Sequence, residues 1–204
     1  MSSPKRFNAA VIIGSGPSPR FRAWGQRIDA YEAVIRFTGQ SDYEVKDYGE
    51  KVTYGFYQVA PKFVRTLINS PPTIEPDRGW VASYLKGDAY ELPNTCDIVE
   101  QTRWLAMARQ FIRSAVMQRR KLRLTRGCVA ACWALESCAP KGSVTLVGFD
   151  FVRQGYCQGG KFGEQPSELW RHHNFAVERP LLTRLAELNN VEVLFAQDEW
   201  KCLI

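Results

Sequence analysis

Short apolar runs alternate with amphipathic stretches along the whole chain. A short apolar run bounded by turn residues is typical of a strand, and apolar residues spaced three or four places apart are typical of a helix. These patterns predict strands at 8–13, 31–37, 51–57, 143–147 and 191–195. They predict helices at 18–26, 97–118, 125–137 and 180–188. The strand at 51–57 alternates apolar and polar residues, so we expect one of its faces to be exposed.

The stretch 60–100 has the weakest pattern, with a short helix predicted at 61–69 and a strand at 80–85. No internal repeat and no long linker divides the sequence. Because predicted strands alternate with predicted helices, we expect one α/β domain over residues 1–204, built on a mostly parallel sheet with helices on both faces.

Composition points to a soluble globular protein of 204 residues, 45% of them hydrophobic and 24% charged. Since no apolar run approaches the ~20 residues of a membrane span and no signal peptide precedes the first strand, we expect a cytoplasmic protein. Six cysteines without a CxxC pair predict buried thiols rather than disulfides or a zinc site. The oligomeric state is left open, and an oligomer is compatible with the sequence.

The net charge of +6 is unevenly distributed, because no acidic residue lies between Glu100 and Glu136 while eight basic residues do. Such a stripe could contact a nucleotide phosphate, an anionic glycan or a peripheral membrane surface, or it could be a solvated helix face. Nucleic acid is not an expected partner, because no recognition motif accompanies the charge.

Turns that contain glycine follow three of the predicted strands. They are Gly14-Ser15-Gly16, Phe37-Thr38-Gly39 and Gly148-Phe149-Asp150. In open α/β sheets, ligands bind beyond the carboxyl ends of the strands, where the strand order reverses. Glycine lets a phosphate approach the backbone closely, and a helix N-terminus provides amide donors. These turns are therefore candidates for a phosphate-binding site, and the alternative is that they merely bend the chain.

A dinucleotide site does not fit, because Gly14-x-Gly16 lacks the third glycine and the second strand ends near Arg36 without an acidic residue for a ribose. A Walker sequence, Gly-Lys-Ser/Thr, does not occur. Neither does Asp-x-Asp, the pattern that would hold a divalent ion beneath a diphosphate. We therefore expect neither a metal nor a bound cofactor.

The two histidines of the chain, His172 and His173, are adjacent and precede a predicted helix. Histidine titrates near neutral pH, so it suits a general base. A surface or capping pair is the alternative interpretation of these residues alone.

Two longer motifs resemble the CMP-sialic-acid-dependent sialyltransferases. Val-Ile-Ile-Gly-Ser-Gly-Pro-Ser at 11–18, continuing to Ala-Val-Ile-Arg-Phe-Thr at 33–38, is similar to the first motif of that family. Arg-Leu-Thr-Arg-Gly at 123–127, running to Val-Thr-Leu-Val-Gly-Phe-Asp-Phe at 144–151, is similar to the second.

A third match is His173, which stands five places before Glu178, as in the late motif of the family. The three motifs occur in the family's order and cover most of the chain apart from 60–100. The chain resembles both the eukaryotic-type family and the compact bacterial one, and Gly-Phe-Asp-Phe together with the lack of an N-terminal anchor favours a bacterial-type member, either cytoplasmic or peripheral at the inner membrane face.

The resemblance implies a Rossmann-like, nucleotide-binding glycosyltransferase fold of the GT-A type and a metal-independent, inverting reaction. The donor would be CMP-sialic acid or another CMP-sugar, and the acceptor an oligosaccharide, polysaccharide or glycolipid. His173 would be the general base. Glu178 would either orient the imidazole or cap the helix.

The resemblance also implies a donor site made of Gly14, Ser15, Gly16, Thr38, Thr125, Arg126 and Gly127. Bacterial members protonate the leaving group with tyrosines just after the second motif, and Tyr156 is the tyrosine of that loop. Arg153, Lys161 or Arg171 are the alternatives for this role, and Arg153, Arg171 and His172 are candidate phosphate contacts.

Two positions depart from the family pattern, because Ser15 and Thr38 stand where asparagines usually contact the donor. The donor could therefore be a related acidic sugar. The alternative function is a non-catalytic domain of the same fold that binds a nucleotide or a glycan.

Overall fold

The computed structural model describes residues 5–14, 16, 18–37, 44–58, 76–84, 96–112, 124–149, 156–158, 161–163, 175–196 and 200. Its strands are β1 (Phe7–Ile13), β2 (Ala33–Phe37), β3 (Tyr54–Gln58), β4 (Trp80–Tyr84), β5 (Cys96–Glu100), β6 (Cys138–Val147), β7 (Tyr156–Gln158), β8 (Lys161–Gly163) and β9 (Glu192–Phe195). Its helices are α1 (Gly25–Asp29), α2 (Val45–Tyr48), α3 (Thr102–Arg109), α4 (Arg126–Ser137) and α5 (Phe175–Asn189).

Seven strands form one parallel sheet in the order β5-β4-β3-β2-β1-β6-β9, and β7 pairs with β8 in a separate antiparallel ribbon. From β1, the strands β2 to β5 follow on one side and β6 and β9 lie on the other. The strand order therefore reverses between β1 and β6. The predicted α/β fold with a mostly parallel sheet is confirmed.

Successive side chains of β1 point to opposite faces of the sheet, and each face packs against its own apolar core. Ala10 and Ile12 face a large core that includes buried residues of α3, α4 and α5. Val11 and Ile13 face a smaller core with α1, α2 and Trp200. Since both faces of the sheet are covered, β1 reads as a continuous apolar run, as expected for a buried parallel strand. None of the helices in the described ranges is long and apolar enough to cross a membrane.

The predicted helix at 97–118 is wrong in its first part, because residues 96–100 form β5. This strand pairs with β4 over five residues, from Trp80↔Cys96 to Tyr84↔Glu100. The β-branched Ile98 and Val99 favour an extended backbone, and pairing with a neighbouring strand outweighs a weak helical pattern. The helix in this region is α3, and residues 113–118 lie outside the described part of the chain.

The helix predicted at 18–26 is also wrong, because the first helix begins only at Gly25. Before it, Phe21 and Ala23 adopt positive φ angles of 62° and 54°. The buried carboxylate of Asp47 accepts hydrogen bonds from the amides of Phe21 (2.7 Å) and Ala23 (2.9 Å). A distant acidic side chain thus holds these residues in a left-handed turn that a helix cannot contain.

The third strand differs from its prediction as well, because residues 53–56 are all buried rather than exposed on one face. The reason is its place in the sheet, between β2 and β4. The strands predicted at 8–13, 80–85, 143–147 and 191–195 and the helices at 125–137 and 180–188 are confirmed with shifted ends. The helix predicted at 61–69 lies outside the described residues.

Candidate functional site

The carboxyl ends of β1 and β6 meet where the strand order reverses. The Gly14 amide donates to the carbonyl of Val147 (2.7 Å), and the Gly16 amide donates to the carbonyl of Gly148 (2.8 Å). A Cβ on Gly14 would lie 2.6 Å from the carbonyl oxygen of Gly148, which itself has a φ of +71°. Only glycines allow this contact, so bare backbone lies at the place where open α/β sheets bind ligands.

The N-terminus of α4 is capped by Thr125. Its hydroxyl oxygen accepts a hydrogen bond from the Cys128 amide (3.1 Å), and its carbonyl accepts one from the Val129 amide (3.0 Å). The amides of Arg126 and Gly127 bind no other residue within the described ranges. These two amides, the positive end of the helix dipole and an arginine make this helix end suitable for an anion.

One aromatic ring joins the helix end to the strand ends. Phe149 follows Gly148, and a Cβ on Gly127 would lie 2.9 Å from a ring carbon of Phe149. A Cβ on Gly14 would lie 2.9 Å from another carbon of the same ring. The first turn of α4 and the end of β1 therefore both contact Phe149. The two segments predicted to bind the nucleotide, at Gly14 and at Gly127, thus form one site.

Glu178 lies in the first turn of α5 with only 2% of its surface exposed. Its Oε1 accepts a hydrogen bond from the Thr125 amide (2.7 Å), and its Oε2 accepts one from the Thr125 hydroxyl (2.9 Å). Burial raises the pKa of Glu178 to about 7, although the two hydrogen bonds from Thr125 act to lower it. The start of α5 is thereby attached to the cap of α4.

Six of the candidate site residues are described, and the structure brings them together in two groups. Gly14, Gly16 and Gly127 lie around the strand ends and Phe149, and Glu178 binds Thr125, the neighbour of Arg126. The remaining candidates lie outside the described residues and stay predictions: Ser15, Thr38, Arg153, Arg171, His172 and His173. Tyr156 belongs to β7 and Lys161 to β8, and the side chains of both are likewise outside the described part.

The role of Phe149 is the main feature that sequence reasoning does not reveal. Its place after a strand and a glycine marks a turn, but the contact with Gly127 depends on how α4 packs on the sheet. Within the described ranges, no group of three or more His, Cys, Asp and Glu side chains is placed to hold a metal ion.

A groove of about 400 Å³ lies elsewhere, at the amino ends of β6 and β9, with Lys141, Glu187 and Asn190 among its lining residues. The groove is therefore at the amino ends of the strands, whereas Gly14 and Gly148 lie at the carboxyl ends. Because ligands of open α/β sheets bind at the carboxyl edge, the groove is not the candidate site.

Comparison with solved structures shows a sialyltransferase fold. The α-2,3-sialyltransferase Cst-I of Campylobacter jejuni matches 98% of this chain and 79% of its own, at 15% identity and a TM-score of 0.57. The sialyltransferase CstII of the same organism, in complex with the substrate analogue CMP-3FNeuAc, matches 95% of this chain and 82% of its own (16%, 0.55). A mammalian sialyltransferase in complex with Gal-beta-1-3GalNAc-ortho-nitrophenol matches 92% and 69% (16%, 0.50).

No protein-family model matches the chain, and no curated protein matches it significantly. The likeness therefore lies in the fold, which is the GT-A-like fold of the sialyltransferases over nearly the whole chain.

Proposed function

We propose that this protein is a metal-independent, inverting glycosyltransferase that moves sialic acid or a related acidic sugar from a CMP-activated donor to a glycan hydroxyl. The observation that carries the proposal is the junction of the β1 and β6 ends with the N-terminus of α4, around Phe149, in a sialyltransferase fold. This junction has the backbone amide donors, the glycines and the position in the sheet that suit a nucleotide monophosphate.

The donor phosphate binds at the N-terminus of α4 in this proposal. The amides of Arg126 and Gly127, which bind no other residue in the described ranges, donate to the phosphate oxygens. The Arg126 guanidinium adds a positive charge at the same helix end. Donors aimed at the leaving phosphate stabilise the negative charge that develops as the glycosidic bond breaks, and they do so without a metal ion.

His173 acts as the general base and takes the proton of the acceptor hydroxyl while its oxygen bonds to the anomeric carbon. The bond between that carbon and the phosphate oxygen breaks on the opposite face, and CMP leaves. Base catalysis of this kind contributes about 10²–10⁴-fold to the rate. The proposal requires His173 to face the junction, and it precedes by two residues the helix whose first turn binds Thr125.

Tyr156 protonates the leaving phosphate, with Arg153, Lys161 or Arg171 as the alternative donors. The acceptor is an oligosaccharide, a polysaccharide or a glycolipid, in keeping with the disaccharide derivative named for the mammalian structure.

Transfer from CMP-sialic acid to β-galactoside acceptors, measured in EDTA, tests this function. His173→Ala is expected to reduce kcat by at least ~10²-fold, while Arg184→Ala, on the exposed face of α5, is the control and should leave kcat unchanged. If neither CMP binding nor transfer is found in the wild-type protein, the proposal is wrong. CMP binding without transfer would instead support the non-catalytic domain that Ser15 and Thr38 suggest.

A further inference from the structure

Both carboxylate oxygens of Glu178 are bound by a single residue, Thr125. The carboxylate is almost completely buried between α5 and α4. Thr125 is the cap of the helix whose next two amides form the proposed anion site. Glu178 therefore acts on the donor end of the site, through a residue directly beside it.

A negative charge at this position opposes an anionic ligand. The carboxylate accepts a hydrogen bond from the Thr125 amide and lies at the positive end of the α4 dipole. The phosphate of the sugar donor would be stabilised by the same dipole and by the neighbouring amides. Two anions beside one helix N-terminus repel each other, and burial strengthens the repulsion because little water screens it.

The Thr125 hydroxyl has two hydrogen-bonding arrangements that fit the two protonation states of Glu178. With the carboxylate charged, the hydroxyl donates to Oε2 and accepts from the Cys128 amide. With a proton from solvent on Oε2, the carboxylic acid donates to Oγ1, and the hydroxyl proton turns away from Glu178. It can then donate to a phosphate oxygen at the helix end.

We infer that Glu178 is a positioning residue whose protonation is coupled to binding of the sugar donor. An anion at the α4 N-terminus draws a proton onto Oε2, and the Thr125 hydroxyl then donates a further hydrogen bond to that anion. This inference rests on the proposed function, since it takes the anion to be the phosphate of a cytidine monophosphate. A pKa of about 7 makes this exchange accessible near neutral pH.

Other charged groups on the packed helices do not replace Glu178 in this role. On α3, Arg103 pairs with Glu136, and Arg109 carries a guanidinium, which has no acceptor for a hydrogen bond. Burial raises the pKa of the Cys128 thiol on α4, so the thiol is neutral in this range. Arg126 and Arg179 also carry guanidinium groups, and that of Arg179 lies over the ring of Phe195.

Calorimetric titration of CMP into wild type and Glu178→Gln, from pH 6 to pH 8, tests the coupling. Both proteins bind the same nucleotide, so the titration of its own phosphate cancels in the ratio of their Kd values. The wild type should bind about as tightly as the variant at pH 6 and about tenfold more weakly at pH 8. A ratio that does not change with pH would overturn the inference while leaving the proposed function intact.

Two further measurements keep the test independent of that variant. Titrations of the wild type at pH 7 in two buffers of different ionisation enthalpy should show net proton uptake by the protein, beyond that of the free nucleotide. Thr125→Ser, which keeps the hydroxyl, should retain this uptake, whereas Thr125→Val should show less, because only the repulsion between the two anions remains to drive it. Equal uptake by Ser and Val variants would contradict the coupling, and no CMP binding by the wild type would refute the proposed function and this inference together.

Discussion

Gly14 and Gly148 touch through their backbones across the ends of β1 and β6, and a Cβ on Gly14 would lie 2.6 Å from the carbonyl oxygen of Gly148. Backbone cannot rotate away as a side chain can, so Gly14→Ala must push the two strand ends apart. We expect this substitution to lower the free energy of unfolding by about 1–3 kcal/mol, measured by urea denaturation, and to weaken CMP binding at the widened junction.

Gly127→Ala provides the control, because its Cβ would meet only the far side of the Phe149 ring at 2.9 Å. A leucine at position 149 would lack Cε1 and Cζ, the two ring carbons nearest to a Cβ on Gly127. In a double-mutant cycle, Phe149→Leu should therefore offset about 1 kcal/mol or more of the cost of Gly127→Ala and little of the cost of Gly14→Ala. Equal rescue of both alanine variants would show that the backbone contact is not the source of the effect.

The strand ends and the helix at 125–137 could be predicted from the sequence because their signals are local. An apolar run followed by Gly14-Ser15-Gly16 indicates a strand and a turn, and a stretch of small apolar residues after Thr125 indicates a buried helix. The contact between Thr125 and Glu178 could not be predicted, since it joins residues 53 places apart and depends on how α4 and α5 pack.

The turn at 21–23 shows the same limit for the fold. Phe21 and Ala23 carry no local signal for a left-handed backbone, and Ser18-Pro19 resembles a helix start. The turn arises because the Asp47 carboxylate binds two amides more than twenty residues away. In β5, likewise, pairing with β4 decides the structure.

Ala23 offers a test of this strained turn. It is exposed and has a φ of 54°, which glycine adopts without a steric cost. Ala23→Gly should therefore stabilise the protein by about 0.5–1 kcal/mol in urea denaturation. The exposed Ala30, with a φ of −74° at the end of α1, is the matched control, and Ala30→Gly should destabilise by a similar amount. The same sign for both variants would contradict the left-handed geometry.

Arg126 stands at the helix end where the donor phosphate is proposed to bind. Arg126→Gln should weaken CMP binding about tenfold, because a charge-assisted contact with the phosphate is lost, and should reduce the dependence of Kd on salt. Arg184 on α5, which pairs with Glu187 at the surface, is the control, and Arg184→Gln should leave Kd unchanged. Equal effects of both substitutions would mean that only the overall charge of the protein matters.

The buried carboxylate of Glu178 predicts how stability depends on pH. Its pKa is raised from an ordinary value of 4.5 to about 7 in the folded protein, so the folded state holds the proton more tightly than the unfolded chain. The resulting stabilisation is complete below pH 4.5 and is lost as the pH rises to 7, a change of roughly 3 kcal/mol.

Urea denaturation of wild type and Glu178→Gln between pH 4.5 and pH 8.5 measures this effect. Glutamine does not titrate, so the unfolding free energy of wild type minus that of the variant should fall by roughly 3 kcal/mol up to pH 7 and then stay level, because above pH 7 both states of the wild type have lost the proton. Glu187→Gln on the exposed face of α5 is the control and should show no such fall. A difference that rises with pH would mean that hydrogen bonds from Thr125 dominate over burial and hold the carboxylate charged.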